Sequence, residues 1–183
     1  LNTTQALFYK CARTINVWAA YDKGTIHQVF ANGKLLKQQT FFADKNKLGQ
    51  PVLEVIHVYQ QDDSTAWLST NEGLTRLNPI SGSYKIYNKW GDRVVKELRY
   101  ATLSPKGQLW LATGPEGVYT FDINTNQFLD NFRFDKADAF SICSDNIVSL
   151  YFDKMNNVWC GSFGGGASYT NLENVFFNKH ISK

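Results

Sequence analysis

Trp90 stands in the polar segment Asn88-Lys89-Trp90-Gly91-Asp92-Arg93, where an aromatic plate is flanked by a carboxylate and a guanidinium. That combination suits a sugar, whose ring offers an apolar face to an aromatic and hydroxyls to charged groups. Covalent chemistry finds less support. Hydrolysis asks for paired carboxylates or a nucleophile with a base. Asp62 and Asp63 are adjacent, but consecutive acids in a turn are ordinarily solvated. His27, His57 and His180 are scattered, with no Asp, Glu or Cys at ligand spacing, so they outline no metal site. Asp135, Asp138 and Asp145 do not follow the calcium-loop pattern, and Gly164-Gly165-Gly166 lacks the Lys and Ser/Thr of a phosphate loop. Cys11, Cys143 and Cys160 form no C-x-x-C pair. They read as small apolar residues, although Cys143 and Cys160 could pair if the fold joined them. The chain offers no catalytic constellation, no metal site and no cofactor motif.

The elements that must position Trp90 come from a repeat. Four other tryptophans share one context, in Asn16-Val17-Trp18, Thr65-Ala66-Trp67, Gln108-Leu109-Trp110 and Asn157-Val158-Trp159, spaced 49, 43 and 49 residues apart. A period of about 40–50 residues is that of propeller blades. The composition agrees: of 183 residues, 43% are hydrophobic, 15% aromatic and only 19% charged, enough apolar surface for a packed all-β core. The net charge of +3 is spread along the chain, with one small cluster at Lys45 and Lys47. Nucleic-acid binding needs a dense basic stripe and is not expected. No apolar run reaches the ~20 residues of a membrane helix. The chain begins Leu1-Asn2-Thr3-Thr4 without an initiator methionine, which reads as a processed piece of a longer protein.

Each repeat divides into four short strands with Gly, Pro, Asn or Ser at the junctions. The second runs VLEVIHVY, TAWLST, LTRLN, SYKIYN; the third ELRYATL, QLWLAT, GVYTFDI, QFLDNFRF; the fourth IVSLYFD, NVWCGSF, GASYTNL, VFFNKHI. The first is the most diverged: ALFYKCA, INVWAAY, GTIHQVF, LLKQQTFF. The expected fold is an all-β propeller of four four-stranded antiparallel blades, at approximately 6–42, 52–88, 97–134 and 147–181. The apolar first strand of each blade is expected to be innermost and covered on both faces. The tryptophan should fill the gap between blades. Gly24, Gly73, Gly117 and Gly166 should supply turns of positive φ, and the hydroxyls of Thr70, Thr113 and Ser162 should bond nearby backbone.

The pattern resembles the two-component regulator propeller repeat, roughly D-x-x-G-x-[LI]-W-[IL]-G-T-x-x-G-[LV]. Trp67-Leu68-Ser69-Thr70-Asn71-Glu72-Gly73-Leu74 carries the likeness, as do Gly107 to Thr113 with Gly117-Val118, and Asp153 to Trp159 with Gly161-Ser162 and Gly166. The second unit lacks the turn glycine and is one residue shorter there. The third has Ser104 in place of the aspartate. The first keeps little beyond Trp18 and Gly24. The resemblance implies part of a seven-bladed propeller in the periplasmic region of a Bacteroides-type hybrid sensor, followed in the whole protein by a membrane helix and a histidine kinase. It implies a response to polysaccharide fragments.

In a four-stranded antiparallel blade, the turn between the second and third strands lies at the same end as the link to the next blade. Ligands commonly use that face of propellers, by fold-level analogy. Its residues here are Tyr21, Asp22, Asn71, Glu72, Glu116 and Phe163, joined by Trp90, Asp92 and Arg93 from a link. The expected partners are an oligosaccharide and, through apolar blade faces, the remaining blades of the same protein or a second copy. The rival readings are a protein-interaction propeller and a propeller lyase or glycoside-cleaving enzyme completed by absent blades.

Overall fold

The computed structural model describes residues 5–11, 14–21, 24–43 and 53–180. Four four-stranded antiparallel sheets follow one another, and in each the strands lie side by side in chain order. Sheet one holds β1 (Gln5–Cys11), β2 (Thr14–Tyr21), β3 (Gly24–Ala31) and β4 (Lys34–Phe41). Sheet two holds β5 (Val55–Asp62), β6 (Thr65–Thr70), β7 (Gly73–Leu77) and β8 (Tyr84–Tyr87). A two-stranded hairpin comes next, β9 (Lys89–Trp90) with β10 (Arg93–Val94). Sheet three holds β11 (Leu98–Leu103), β12 (Gln108–Thr113), β13 (Val118–Asp122) and β14 (Gln127–Phe132). Sheet four holds β15 (Ile147–Phe152), β16 (Asn157–Ser162), β17 (Ala167–Asn171) and β18 (Asn174–His180). The chain forms two compact units, Leu1–Tyr87 and Asn88–Lys183.

Each unit has its own core between two sheets. In the first, Trp18 and Phe41 of sheet one pack with Val55, Val58, Ala66, Leu68 and Leu77 of sheet two. In the second, Trp110, Ala112 and Val118 of sheet three pack with Ile147, Leu150, Val158, Cys160 and Phe177 of sheet four, with Ile142 of the intervening link among them. Burying a side chain of this size contributes roughly 1.5–3 kcal/mol. Trp18 and Trp110 therefore fill inter-sheet gaps, as their recurrence predicts. Of the expectation for the first strands, cover on both faces is corrected for β15, which alternates between buried and exposed positions, whereas β6 is buried throughout. The first strand is an edge of its sheet, while the second has a strand on both sides.

The indole N–H explains the departures from the repeat pattern. In sheet four Asp153, six residues before the tryptophan, accepts from Trp159 Nε1 at 3.0 Å. Asn156 holds the turn with φ 61°, in place of glycine. In sheet two the turn is shorter, Asp62 caps Ser64 instead, and Gln61 takes over, accepting from Trp67 Nε1 at 2.9 Å. In sheet one Trp18 Nε1 reaches across to Gln60 Oε1 of sheet two, at 2.8 Å. In sheet three Ser104 occupies the aspartate's place, and the buried Trp110 Nε1 has no partner.

Candidate functional site

The recurring hydroxyl and glycine build one end of each sheet. Thr70 Oγ1 donates to the Gly73 carbonyl at 2.7 Å, Thr113 Oγ1 to Gly117 at 3.0 Å and Ser162 Oγ to Gly166 at 2.8 Å. The clasp closes the tight turn between second and third strands. Gly117 has φ 74°, and a Cβ there would collide with the Phe132 carbonyl, so only glycine fits. Gly24, Gly73 and Gly166 share the positive φ.

A second repeated feature ties that turn to the start of the sheet. The first turn residue donates its N–H to the residue just before the first strand or its neighbour: Asn71 to Glu54 at 3.2 Å, Gly114 to Glu97 at 3.4 Å and Phe163 to Asn146 at 2.9 Å. In sheets two, three and four the first strand also carries a bulge one residue in, at Ile56, Arg99 and Val148. Turns and links thus meet at one end, as the topology of an antiparallel sheet requires.

In the first unit, Asn71 Oδ1 accepts from Glu54 N at 2.9 Å, which makes its amide a brace for the turn. Glu72 N donates to Thr70 Oγ1 at 3.3 Å. Asp22 and the side chain of Tyr21 lie outside the described residues, as do Lys45, Lys47 and the side chains of Cys11 and His180.

In the second unit, Trp90 is not in an irregular loop. It pairs with Arg93 in the β9–β10 hairpin, whose turn is made by Gly91 at φ 57° and the exposed Asp92. Trp90 is half-buried, edge-on to Tyr119 at 5.5 Å, and the Arg93 guanidinium lies 5.7 Å from its ring centre. Tyr119 donates to Glu116 Oε2 at 2.7 Å. Burial and the neighbouring Glu116 carboxylate push the Tyr119 phenol up to about 12. Arg133 donates to Asp145 Oδ2 at 2.8 Å and to the Pro115 carbonyl at 3.3 Å. Asp145 also accepts from Phe134 N at 2.7 Å. Phe163 is 75% exposed. The structure thus places Trp90, Arg93 and Glu116 around the buried Tyr119 ring, with Arg133 linked to the same turn.

Two residues escaped the sequence reading. Arg99 Nη1 donates to Asn146 Oδ1 at 2.8 Å, beside Phe163. Only the strand register could have flagged Arg99, because it occupies the bulge.

Asp135 and Asp138 cap local backbone N–H groups. Cys143 and Cys160 are free thiols, and burial pushes the Cys160 thiol up. Among the described residues no group of three His, Cys, Asp or Glu is arranged to hold a metal ion. No helix there is long and apolar enough to cross a membrane.

Neither a family model nor a curated protein sequence matches the chain. Solved structures do. The extracellular domain of a hybrid two-component system of B. thetaiotaomicron is similar over 96% of this chain, with a TM-score of 0.70 and 19% identity. That of a one-component system of the same organism is similar over 96%, with a TM-score of 0.67 and 16% identity. The WD40 beta propeller domain of Doa1 is similar over 90%, at 0.57 and 14%, with 47% of that domain covered. The four sheets are propeller-type blades. At these identities the likeness is one of fold. The chain spans 24% and 21% of the length of the two extracellular domains. Those domains come from the same class of system as the repeat that the tryptophan blades resemble.

Proposed function

We propose that this chain is part of the periplasmic sensor region of a two-component signalling protein, where it binds a polysaccharide-derived ligand or relays its signal without catalysing a reaction. The observation that carries the reading is the likeness over 96% of the chain to an extracellular domain of a two-component system, at a TM-score of 0.70. The blades, taken as 6–42, 52–88, 97–134 and 147–181, would make up part of a seven-bladed propeller. The residues proposed to meet the ligand are Tyr21, Asp22, Asn71 and Glu72 of the first unit and Trp90, Asp92, Arg93, Glu116 and Phe163 of the second. Trp90 and Arg93 support this best, since an indole and a guanidinium stand together there and offer apolar and hydrogen-bonding surface side by side. Calorimetric titration with a panel of plant and host oligosaccharides tests it. Trp90→Ala and Arg93→Ala should each weaken binding about tenfold, and equal affinities across wild type and variants would refute the assignment.

An open face supports a blade-to-blade partner as well. Tyr151, Trp159 and Tyr169 line up across sheet four, with Trp159 stacked on Tyr169 at 4.5 Å. Trp159 is half-buried and Tyr151 is 64% exposed, whereas Trp18 and Trp110 are covered by the following sheet. We read this face as one that a further blade of the same protein, or a second copy, covers. Size-exclusion chromatography separates self-association from a monomer that needs its own missing blades.

A further inference from the structure

The bulge in the first strand of sheets two, three and four leaves its extra residue out of the ladder and re-aims the side chain. Two of these sheets carry aliphatic residues there, Ile56 and Val148, and sheet three carries Arg99. The matching turn position also changes, with Gly114 standing where the others have Asn71 and Phe163. A Cβ on Gly114 would lie 2.8 Å from Arg99 Nη2 and 3.0 Å from its Cζ and Nε. The guanidinium therefore rests on the glycine, in space that any other residue would occupy.

Asn146 steadies this arrangement, accepting from Arg99 Nη1 at 2.8 Å. Its backbone carbonyl holds the N–H of Phe163, which brings an aromatic ring that is 75% exposed to the same end of the unit. Arg133, by contrast, is matched by Asp145 at 2.8 Å. Among the described residues no carboxylate lies within ion-pair distance of Arg99, and its one hydrogen bond is to Asn146. A planar fork with unclaimed donors, half-buried on a fixed seat, is built to take a carboxylate through two parallel N–H···O bonds.

We propose that Arg99, seated on Gly114 and steadied by Asn146, binds the carboxylate of an acidic sugar whose ring lies on Phe163. The ligand class is a uronic-acid oligosaccharide, and the proposal rests on the ligand-sensing reading above. Arg99 sets specificity and Phe163 supplies contact area.

The test is titration of the 183-residue chain with galacturonate, glucuronate and mannuronate oligosaccharides, each paired with its carboxyl-reduced neutral counterpart. Acidic members should bind, and neutral counterparts should bind at least tenfold more weakly. Arg99→Met and Gly114→Ala should each erase that preference, with unchanged circular dichroism and thermal midpoint as the folding control. Arg99→Lys should recover part of it. Phe163→Ala should weaken acidic and neutral members alike. If acidic and neutral sugars bind equally and Arg99→Met changes nothing, the carboxylate site is overturned while sugar sensing stands. If no member binds, both readings fall.

Discussion

Trp18 and Trp110 occupy the same step of the repeat, yet the two units surround them with different chemistry. In the first unit Trp18 stacks on His27 at 4.1 Å and donates to Gln60, while His27 Nε2 shares a 2.7 Å hydrogen bond with Asn16. In the second unit Trp110 is enclosed by rings, stacked on Phe132 at 5.2 Å and edge-on to Phe152 at 5.8 Å, with its N–H orphaned. The same blade geometry thus closes either through a buried polar network or through an apolar one. The first depends on protonation state. Both leave buried polar atoms unmatched, Asn16 Nδ2 and His27 Nδ1 in the first and Trp110 Nε1 in the second. In the second the cost of the bare N–H, high in apolar surroundings, is offset by the packing of the rings.

The largest effect should come from removing the apolar anchor. Trp110→Ala empties the inter-sheet gap of the second unit and should cost about 3–5 kcal/mol. Hydrogen exchange should show the loss concentrated in β11 to β18. Equal loss of protection in β1 to β8 would break the description of two separate cores.

Acid should strike the first unit instead. His27 and His57 are each held down to about 4 from an ordinary 6.5, both chiefly by burial. The folded state resists the proton that the unfolded chain accepts. Stability from the neutral imidazoles is complete above pH 6.5, declines as pH falls below it and is lost by about pH 4. His57 stands for on the order of 3 kcal/mol across that window, and His27, less completely shielded from solvent, for less. In the second unit Asp153 is held at about 2, mainly by hydrogen bonds from Trp159 and Asn157, so its contribution is lost only below the ordinary carboxylate range. Exchange measured at pH 7 and pH 4.5 should show the first unit opening preferentially, and His57→Gln should flatten that dependence. A pH-independent first unit would show that its polar network is not the weak point.

A smaller test addresses what the units share. Thr113→Val removes the hydroxyl that donates to Gly117 and accepts from Glu116 N at 2.9 Å. It should cost about 1–2 kcal/mol, and Thr70→Val should cost the first unit a similar amount. Unequal costs, measured by urea unfolding, would mean that the clasp is not the same element in both.

The scaffold was legible because its residues recur for steric reasons. A tryptophan before each turn, a hydroxyl three places on and a glycine of positive φ are demands of one local geometry, so they repeat with it. The candidate site was legible only where it was aromatic. Trp90 stood out by type, but its hairpin did not, because two-residue strands leave no alternation to read. Arg99 was invisible: in Glu97-Leu98-Arg99-Tyr100 it looks like one more polar residue on an alternating strand. Its direction depends on a bulge, and the bulge depends on pairing with β12.

The orphaned indole offers the sharpest comparison, though the expected change is small. Ser104 and Asp153 hold equivalent backbone positions: Ser104 N donates to Gln108 O at 2.7 Å, and Asp153 N to Asn157 O at 2.9 Å. Ser104 Oγ accepts from Gln108 N at 3.1 Å, as Asp153 Oδ1 does from Asn157 N at 3.0 Å. What the serine lacks is the second oxygen, which in Asp153 reaches the indole. Ser104→Asp should supply it, satisfy Trp110 Nε1 and stabilise the second unit by about 1 kcal/mol at neutral pH. The gain should vanish on acidification, because protonation removes the carboxylate's charge. Ser104→Asn should give less, since the amide supplies only one carbonyl oxygen. A destabilised Asp variant would mean that burying the charge costs more than the indole returns, and that the serine suits a core closed by rings.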